Sequence, residues 1–250
     1  MYNSSFTLKG KTILVTGASS GIGFAVAQQC AQMGARLIIT GRNEQSLDKL
    51  ITQLPPAAHQ KIVQDLAIEN GIQNLVQQIE KLDGLVHCAG LVEPFPAGFL
   101  NRKKIDQTFS INFYVPVELT AMLLKHKKMN QGGSVVFISS IAATNSFIGG
   151  AAYASSKAAL EAFCRTIALE YAVKHIRANC LAPAMVKTKI FDNMAKNVEK
   201  HTVEAHLAKY PLGVGQPEDV ANACVFLLSN ASRWITGITI RMDGGLLLGS

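Results

Sequence analysis

Seven short runs of aliphatic and β-branched residues recur along this chain, each separated from the next by a segment of helix length. They are KTILVTG (11–17), ARLIIT (35–40), KIVQDL (61–66), GLVHCAG (84–90), GSVVFISS (133–140), IRANCLAP (176–183) and ITIRMDGG (238–245). Their apolar character is nearly continuous, whereas a strand with one wet face would alternate polar and apolar residues. Strands of this kind are buried on both faces, as in a parallel sheet with helices above and below. Helical patterns fill the gaps: from the first glycine-rich turn to about 33, then at about 43–54, 68–82, 101–128, 151–173 and 217–229. The second must stop at Pro55–Pro56, because proline breaks the helical hydrogen-bond ladder.

A chain of 250 residues fits one large α/β domain, and no Gly-, Ser- or Pro-rich linker or internal repeat divides it. One segment breaks the rhythm. Residues 184–213 form a long insertion between the sixth and seventh strands. Loops leaving the carboxyl ends of parallel strands build the ligand crevice, so this insertion reads as a substrate lid, or else as an ordinary helical crossover.

Composition narrows the function classes. A hydrophobic fraction of 48% with 16% charged residues describes a folded chain with a sizeable core. No apolar run reaches the roughly 18–20 residues that span a bilayer, and the opening MYNSSFTLKGK lacks the pattern of a secretory signal. Cys30, Cys88, Cys164, Cys180 and Cys224 are scattered, without metal-ligand spacing, which argues against a zinc site or disulfide framework and for a reducing cytoplasm. The net charge of +7 is spread along the chain and does not form a nucleic-acid stripe. The one short run, Lys125–His126–Lys127–Lys128, is expected to close a helix at its negative end, with a docking patch as the alternative.

The first turn carries chemistry. In VTGASSGIG, Gly17, Gly21 and Gly23 follow the first strand and open the first helix. Glycines there permit a tight turn, let backbone N–H groups approach a pyrophosphate and let the helix pack close to the sheet. The second strand ends IITGRN, with Arg42 where an acidic residue would grip adenosine ribose hydroxyls. A guanidinium pairs with a phosphate, so the expected cofactor is NADP(H) in preference to NAD(H).

Taken together, the motifs resemble those of the short-chain dehydrogenase/reductase family, over essentially the whole chain. They are TGASSGIG (16–23), Asp65–Leu66, Ala89–Gly90, Asn112 in SINFYV, Ser140 in FISS, YASSK (153–157), NCLAPAMVKT (179–188) and MDGG (242–245). The resemblance implies a single-domain Rossmann fold: a doubly wound, seven-stranded parallel sheet of order 3-2-1-4-5-6-7. It implies Tyr153 as acid/base, Lys157 as its electrostatic partner and holder of the nicotinamide ribose, and Ser140 as the hydroxyl that polarises the carbonyl. Ser140 fits the family spacing better than Ser139. Asn112 is implied to kink its helix and to position a water joining Lys157 to solvent. Cofactor contacts are implied at Gly17, Ser19, Ser20, Gly21, Ile22, Gly23, Arg42, Asp65, Leu66, Ala89, Gly90, Tyr153, Lys157, Pro183, Val186 and Thr188. A helix places residues four apart on one face, so Tyr153 and Lys157 project together. The ammonium is expected to lower the phenol from its usual value near 10.

Several positions depart from the family pattern. His87 and Cys88 replace an asparagine pair, Ala184 stands where glycine is usual, and Val214 where arginine is common. His87 is expected to be satisfied by backbone, and Cys88 to pack in the asparagine's place. The general likeness is to the 3-oxoacyl-carrier-protein reductase branch, which implies an acyl-thioester substrate and an acidic acyl carrier protein as a possible partner. Lys127, Lys128 and Lys174 are the candidate contacts. Phe95, Phe147, Met185, Phe191 and Met194 are expected at an apolar substrate mouth. A dehydrogenase of a small alcohol, sugar, steroid or other ketone is the competing enzyme reading, and a non-catalytic dinucleotide-binding protein the competing class. Epimerases of the extended branch need a larger carboxyl-terminal region, and the enoyl-reductase branch separates tyrosine and lysine more widely. The helix from Ala151 is apolar on more than one face, and with the ending GGLLLG it suggests a homotetramer. No nucleic-acid or membrane partner is expected.

Overall fold

The computed structural model describes residues 5–188, 191 and 200–248. Its centre is one parallel sheet of seven strands in the order β3-β2-β1-β4-β5-β6-β7. The strands are β1 (Thr12–Thr16), β2 (Arg36–Gly41), β3 (Gln60–Val63), β4 (Leu82–His87), β5 (Met129–Ile138), β6 (Arg177–Pro183) and β7 (Thr239–Met242). The helices are α1 (Gly21–Gln32), α2 (Glu44–Gln53), α3 (Gly71–Gln77), α4 (Arg102–Phe109), α5 (Val115–Lys125), α6 (Ala151–Glu170), α7 (Lys200–Leu207) and α8 (Pro217–Leu228). The sheet order expected from the family resemblance is the order observed.

The continuous apolarity of the strands reflects two cores, one on each face. Ile13, Val15, Leu37, Ile39 and Val86 pack towards α1, α2 and α8, where Val26, Cys30, Leu47, Val220 and Leu227 meet them. Alternate residues Leu14, Ile38, Leu85, Val135 and Phe137 face α3, α5 and α6, against Leu75, Leu119, Leu123 and Leu160. This period-two division follows from the pleat, which sends successive side chains to opposite faces. Gly84 marks how close the layers come: a Cβ there would lie 2.7 Å from Leu228 Cδ2 and 3.1 Å from Ile13 Cγ1.

Three elements differ from the sequence reading. The expected helix over 101–128 is broken by a π-turn at Ser110–Tyr114, between α4 and α5. Pro116 has no N–H to give the carbonyl of Asn112, so the α-helical ladder cannot run through this point. The expected helix over 68–82 shrinks to Gly71–Gln77, because the chain must leave it to start β4 at Leu82. Lys128 Nζ then donates to the carbonyl of Val76 at 2.9 Å and to that of Ile79. The basic run thus closes its own helix as expected, with Lys125 in the last turn of α5, while Lys128 caps the end of α3. Finally, β5 begins at Met129, before the glycines; a register irregularity between Leu82 and Gly84 absorbs the extra residues.

Every turn that leaves the carboxyl edge of the central strands opens on one side of the sheet, where ligand crevices form in such folds. Gly84→Ala tests the packing that fixes this frame. It should lower unfolding stability by about 1–3 kcal/mol through overpacking, measured by urea denaturation; unchanged stability would contradict the close contact with Leu228.

Candidate active site

Two adjoining hollows occupy the carboxyl edge. The first is lined by the β1–α1 loop from Gly17 to Gly23, together with Thr40, Arg42, Asp65, Leu66, Ala89, Gly90 and Thr188. The second, a cavity of about 830 Å³, holds Ser140, Tyr153, Lys157, Phe147, Met185 and Phe191 on its walls. Ile22, Cys88, Gly90, Leu91 and Thr188 border both.

The first hollow fits a dinucleotide on observations of its own. Gly17 has φ +65°, and a Cβ on it would lie 2.7 Å from Ala89 N. A Cβ on Gly23 would collide with the carbonyl oxygen of Gly17. Only glycine lets these backbones meet. Ser20 makes no side-chain cap to α1, and the first turn of α1 holds no acidic residue, so its N–H groups are left for an anion. The buried Thr40 hydroxyl, among the lining residues, has no hydrogen-bond partner among the described residues. Thr188 closes this hollow from beyond β6 and would touch a Cβ on Gly21 at 3.3 Å, whereas Pro183, Ala184 and Val186 line the second hollow. Arg42 is largely exposed, with Nη1 3.9 Å from Asp65 Oδ2. An ion pair this open contributes little, so the guanidinium remains able to meet an anion. Asp65 also accepts from Ala67 N at 2.9 Å.

In the second hollow, α6 carries Tyr153 and Lys157 on one face, and Ser140 arrives from the end of β5. The Ser140 hydroxyl faces the Tyr153 hydroxyl closely enough to act on its pKa. Lys157 is 4% exposed; its Nζ donates to the carbonyl of Ile138 at 2.8 Å and sits 5.8 Å from the Tyr153 ring centroid. Burial pushes the lysine down to about 8, opposed by the Cys180 and Cys88 thiols. Burial also raises Tyr153, opposed by the bond from Ser140. The sequence-based expectation that the ammonium lowers the phenol is thus not met by the protein's own groups. The amine is engaged by the Ile138 carbonyl, and desolvation of the phenolate wins.

Asn112 is fully buried in the π-turn. Its Oδ1 accepts from Leu91 N at 2.8 Å, and its Nδ2 donates to Leu91 O at 2.9 Å and to Ser156 Oγ at 3.2 Å. Ser156 in turn donates to the Tyr153 carbonyl at 2.7 Å. A Cβ on Gly90 would lie 3.6 Å from Asn112 Oδ1 and 3.7 Å from Lys157 Nζ. The asparagine, the lysine and the 90–91 loop therefore converge.

Other expected positions fall elsewhere. Phe95 is not a wall of the cavity: its N–H donates to Gly149 O at 2.8 Å and its ring lies under the Lys104 ammonium. Met194 lies outside the described residues. His87 is satisfied by the Thr120 hydroxyl, 2.9 Å from Nε2, and not by backbone, while Nδ1 has no partner among the described residues. It stacks on Phe137 at 5.0 Å, and burial followed by the charge of Lys157 pushes it down to about 3. Lys128 is committed to capping α3, and Lys174 lies 5.2 Å from the Tyr171 ring centroid. The sequence reading missed His206, Tyr210, Leu246 and Leu247, which also line the cavity. Tyr210 OH accepts from Met185 N at 3.4 Å and meets His206 Nε2 at 3.4 Å. Their i, i+4 spacing was the available signal. Leu246 and Leu247 belong to the apolar ending GGLLLG and face the cavity.

Comparison with known proteins agrees with this geometry. Residues 17–247 match the family model described as enoyl-(acyl carrier protein) reductase. A 3-oxoacyl-(acyl-carrier-protein) reductase of Rickettsia bellii is 38% identical, covering 96% of this chain and 98% of its own. A tropinone reductase homologue of Arabidopsis thaliana is 32% identical, over 96% of this chain and 93% of its own. Among solved structures, a putative 2-deoxy-D-gluconate 3-dehydrogenase of Agrobacterium tumefaciens with bound NADP superposes with a TM-score of 0.86. It is 26% identical and covers 98% of this chain and 99% of its own. The fold and its paired hollows define an oxidoreductase that works with NAD(P) on CH–OH or carbonyl groups. The chain belongs to the short-chain dehydrogenase/reductase family, in its 3-oxoacyl-(acyl-carrier-protein) reductase-like branch.

Among the described residues, no helix is long and apolar enough to cross a membrane, and no cluster of His, Cys, Asp or Glu is arranged to hold a metal ion.

Proposed function

We propose that the protein is an NADP(H)-dependent reductase of 3-oxoacyl thioesters, with Tyr153 as its acid/base. The observation that carries this reading is the convergence of the Ser140 and Tyr153 hydroxyls in an apolar-walled cavity adjoining the dinucleotide hollow. The nicotinamide cofactor supplies the hydride. Tyr153 gives a proton to the substrate oxygen in reduction and takes it back in oxidation. Ser140 donates to the same oxygen and orients the carbonyl. Lys157 holds ribose hydroxyls and, with Asn112, belongs to the path that reprotonates Tyr153. Burial keeps Tyr153 protonated at neutral pH, the form that reduction needs.

The glycine loop, Ser19, Ser20, Ile22 and the first turn of α1 would take the pyrophosphate, Asp65 and Leu66 the adenine end, and Arg42 the 2′-phosphate. Ala89, Gly90, Pro183, Val186 and Thr188 would enclose the nicotinamide half. Residues 184–213 would form the lid, with Phe147, Met185 and Phe191 against the acyl chain. An acyl carrier protein is the proposed donor of the thioester, consistent with the names of the Rickettsia relatives. Two hydroxyls addressed to one oxygen suit a carbonyl better than a carbon–carbon double bond. A sugar or other small-ketone substrate is the second reading, favoured by Thr144, Asn145, Ser146, His206 and Tyr210 on the cavity wall. Exposed apolar side chains at Leu169, Val173 and Trp234 support a homotetramer.

Steady-state reduction of acetoacetyl thioesters, set beside a panel of sugars and simple ketones, tests the substrate. Tyr153→Phe should lower kcat by roughly 10²–10⁴-fold, the usual contribution of acid–base catalysis, with cofactor binding nearly intact. Full activity in that variant would overturn the assignment. The wild type should favour NADPH over NADH in kcat/KM, and Arg42→Asp should move the preference towards NADH. An equal or higher wild-type value with NADH would remove the role given to Arg42.

A further inference from the structure

We infer that Glu161 is a positioning residue for this chemistry: it holds Ser139, and through Ser139 it fixes the hydroxyl of Ser140. The inference rests on the proposed roles of Ser140 and Tyr153. Glu161 lies on α6 four residues beyond Lys157 and eight beyond Tyr153, so the three share one stripe of the helix. It is only 8% exposed, although a buried carboxylate is costly unless it is hydrogen-bonded. Its partner is the Ser139 hydroxyl, which donates to Oε1 at 2.7 Å, the length of a bond strengthened by charge.

Ser139 is 2% exposed and held on two sides. Its side chain is tied to α6 through Glu161, and its N–H donates to the Leu181 carbonyl of β6 at 2.7 Å. Ser140 follows directly. Its backbone is extended, with φ −162° and ψ 153°, and its Oγ accepts from Ala142 N at 3.2 Å while facing Tyr153. Fixing the residue before it therefore fixes the peptide from which the Ser140 hydroxyl is aimed. Glu161 is not among the residues bordering the cavity, so it acts through Ser139 and not on substrate. An aliphatic side chain would fill the same space without a desolvation cost. What the carboxylate adds is a fixed acceptor, joining the helix that carries Tyr153 to the strand end that carries Ser140.

The test compares Ser139→Ala, Glu161→Leu, their double variant and Glu161→Gln, by kcat and KM for a ketone substrate and by cofactor Kd. Each of the first two should lower kcat by roughly tenfold or more, because small displacements of reacting groups are costly. KM for cofactor and its Kd should hardly move. The double variant should be no worse than the poorer single one, since both remove one interaction. Glu161→Gln keeps an acceptor and should recover most of the loss. Wild-type kcat in Ser139→Ala, multiplying losses in the double variant, or a glutamine variant as impaired as the leucine one would each overturn the inference. If Glu161→Leu does not fold, Ser139→Ala, smaller by one oxygen, decides by the same criterion. An active Tyr153→Phe variant would instead defeat the underlying catalytic reading.

Discussion

A lysine amine buried at the heart of an α/β sheet is the constraint around which this site is organised. Lys157 Nζ donates to the Ile138 carbonyl, and burial, opposed by the Cys180 and Cys88 thiols, pushes it down to about 8. Keeping it there requires that β5 end at Ile138, that α6 cross beneath that end, and that Asn112 and Gly90 close around it. The same burial acts on Tyr153 with the opposite consequence for charge. A phenol is held protonated by desolvation, while an amine is pushed towards neutrality. Two titratable groups on one helix face are thus driven apart in pKa before any ligand binds, the amine downwards and the phenol upwards.

The sheet supplies the precision. Parallel strands bring the glycine turn after β1, the Thr40–Arg42 corner after β2, Gly90 after β4, Ser140 after β5 and Pro183 after β6 to one edge. Each is far from the others in sequence and fixed by a strand register. The two cores on either face make that edge rigid, and rigid elements hold reacting groups better than loops do. Variation is left to the segment after β6, where His206, Tyr210 and Met185 build the far wall of the cavity.

Much of this was legible in the sequence, for definable reasons. Strand runs such as Thr12–Thr16 are mostly apolar because both faces are covered, and Arg177–Pro183 is buried along its whole length. The glycines at 17 and 23 declare themselves because no other residue permits the backbone contacts they make. What the sequence concealed depends on three-dimensional partners. The break between α4 and α5 needs Pro116 read together with Asn112. Lys128 looked like a surface charge until α3 was placed beside it. Phe95 has the apolar character of a cavity wall, yet a backbone bond to Gly149 and the ammonium of Lys104 hold it aside. The lowering of the Tyr153 pKa expected from a nearby cation failed because burial of the phenol, which helix spacing does not reveal, acts in the opposite direction.

The most direct measurement is a titration of the Tyr153 hydroxyl by ultraviolet difference spectroscopy, referenced to the phenylalanine variant, with and without oxidised cofactor. Burial sets the phenol of the protein alone above its ordinary value near 10, and the positive ring of the oxidised nicotinamide should bring it down. A value already below 10 in the protein alone, or one that oxidised cofactor leaves unmoved, would contradict this account of how the site prepares its acid.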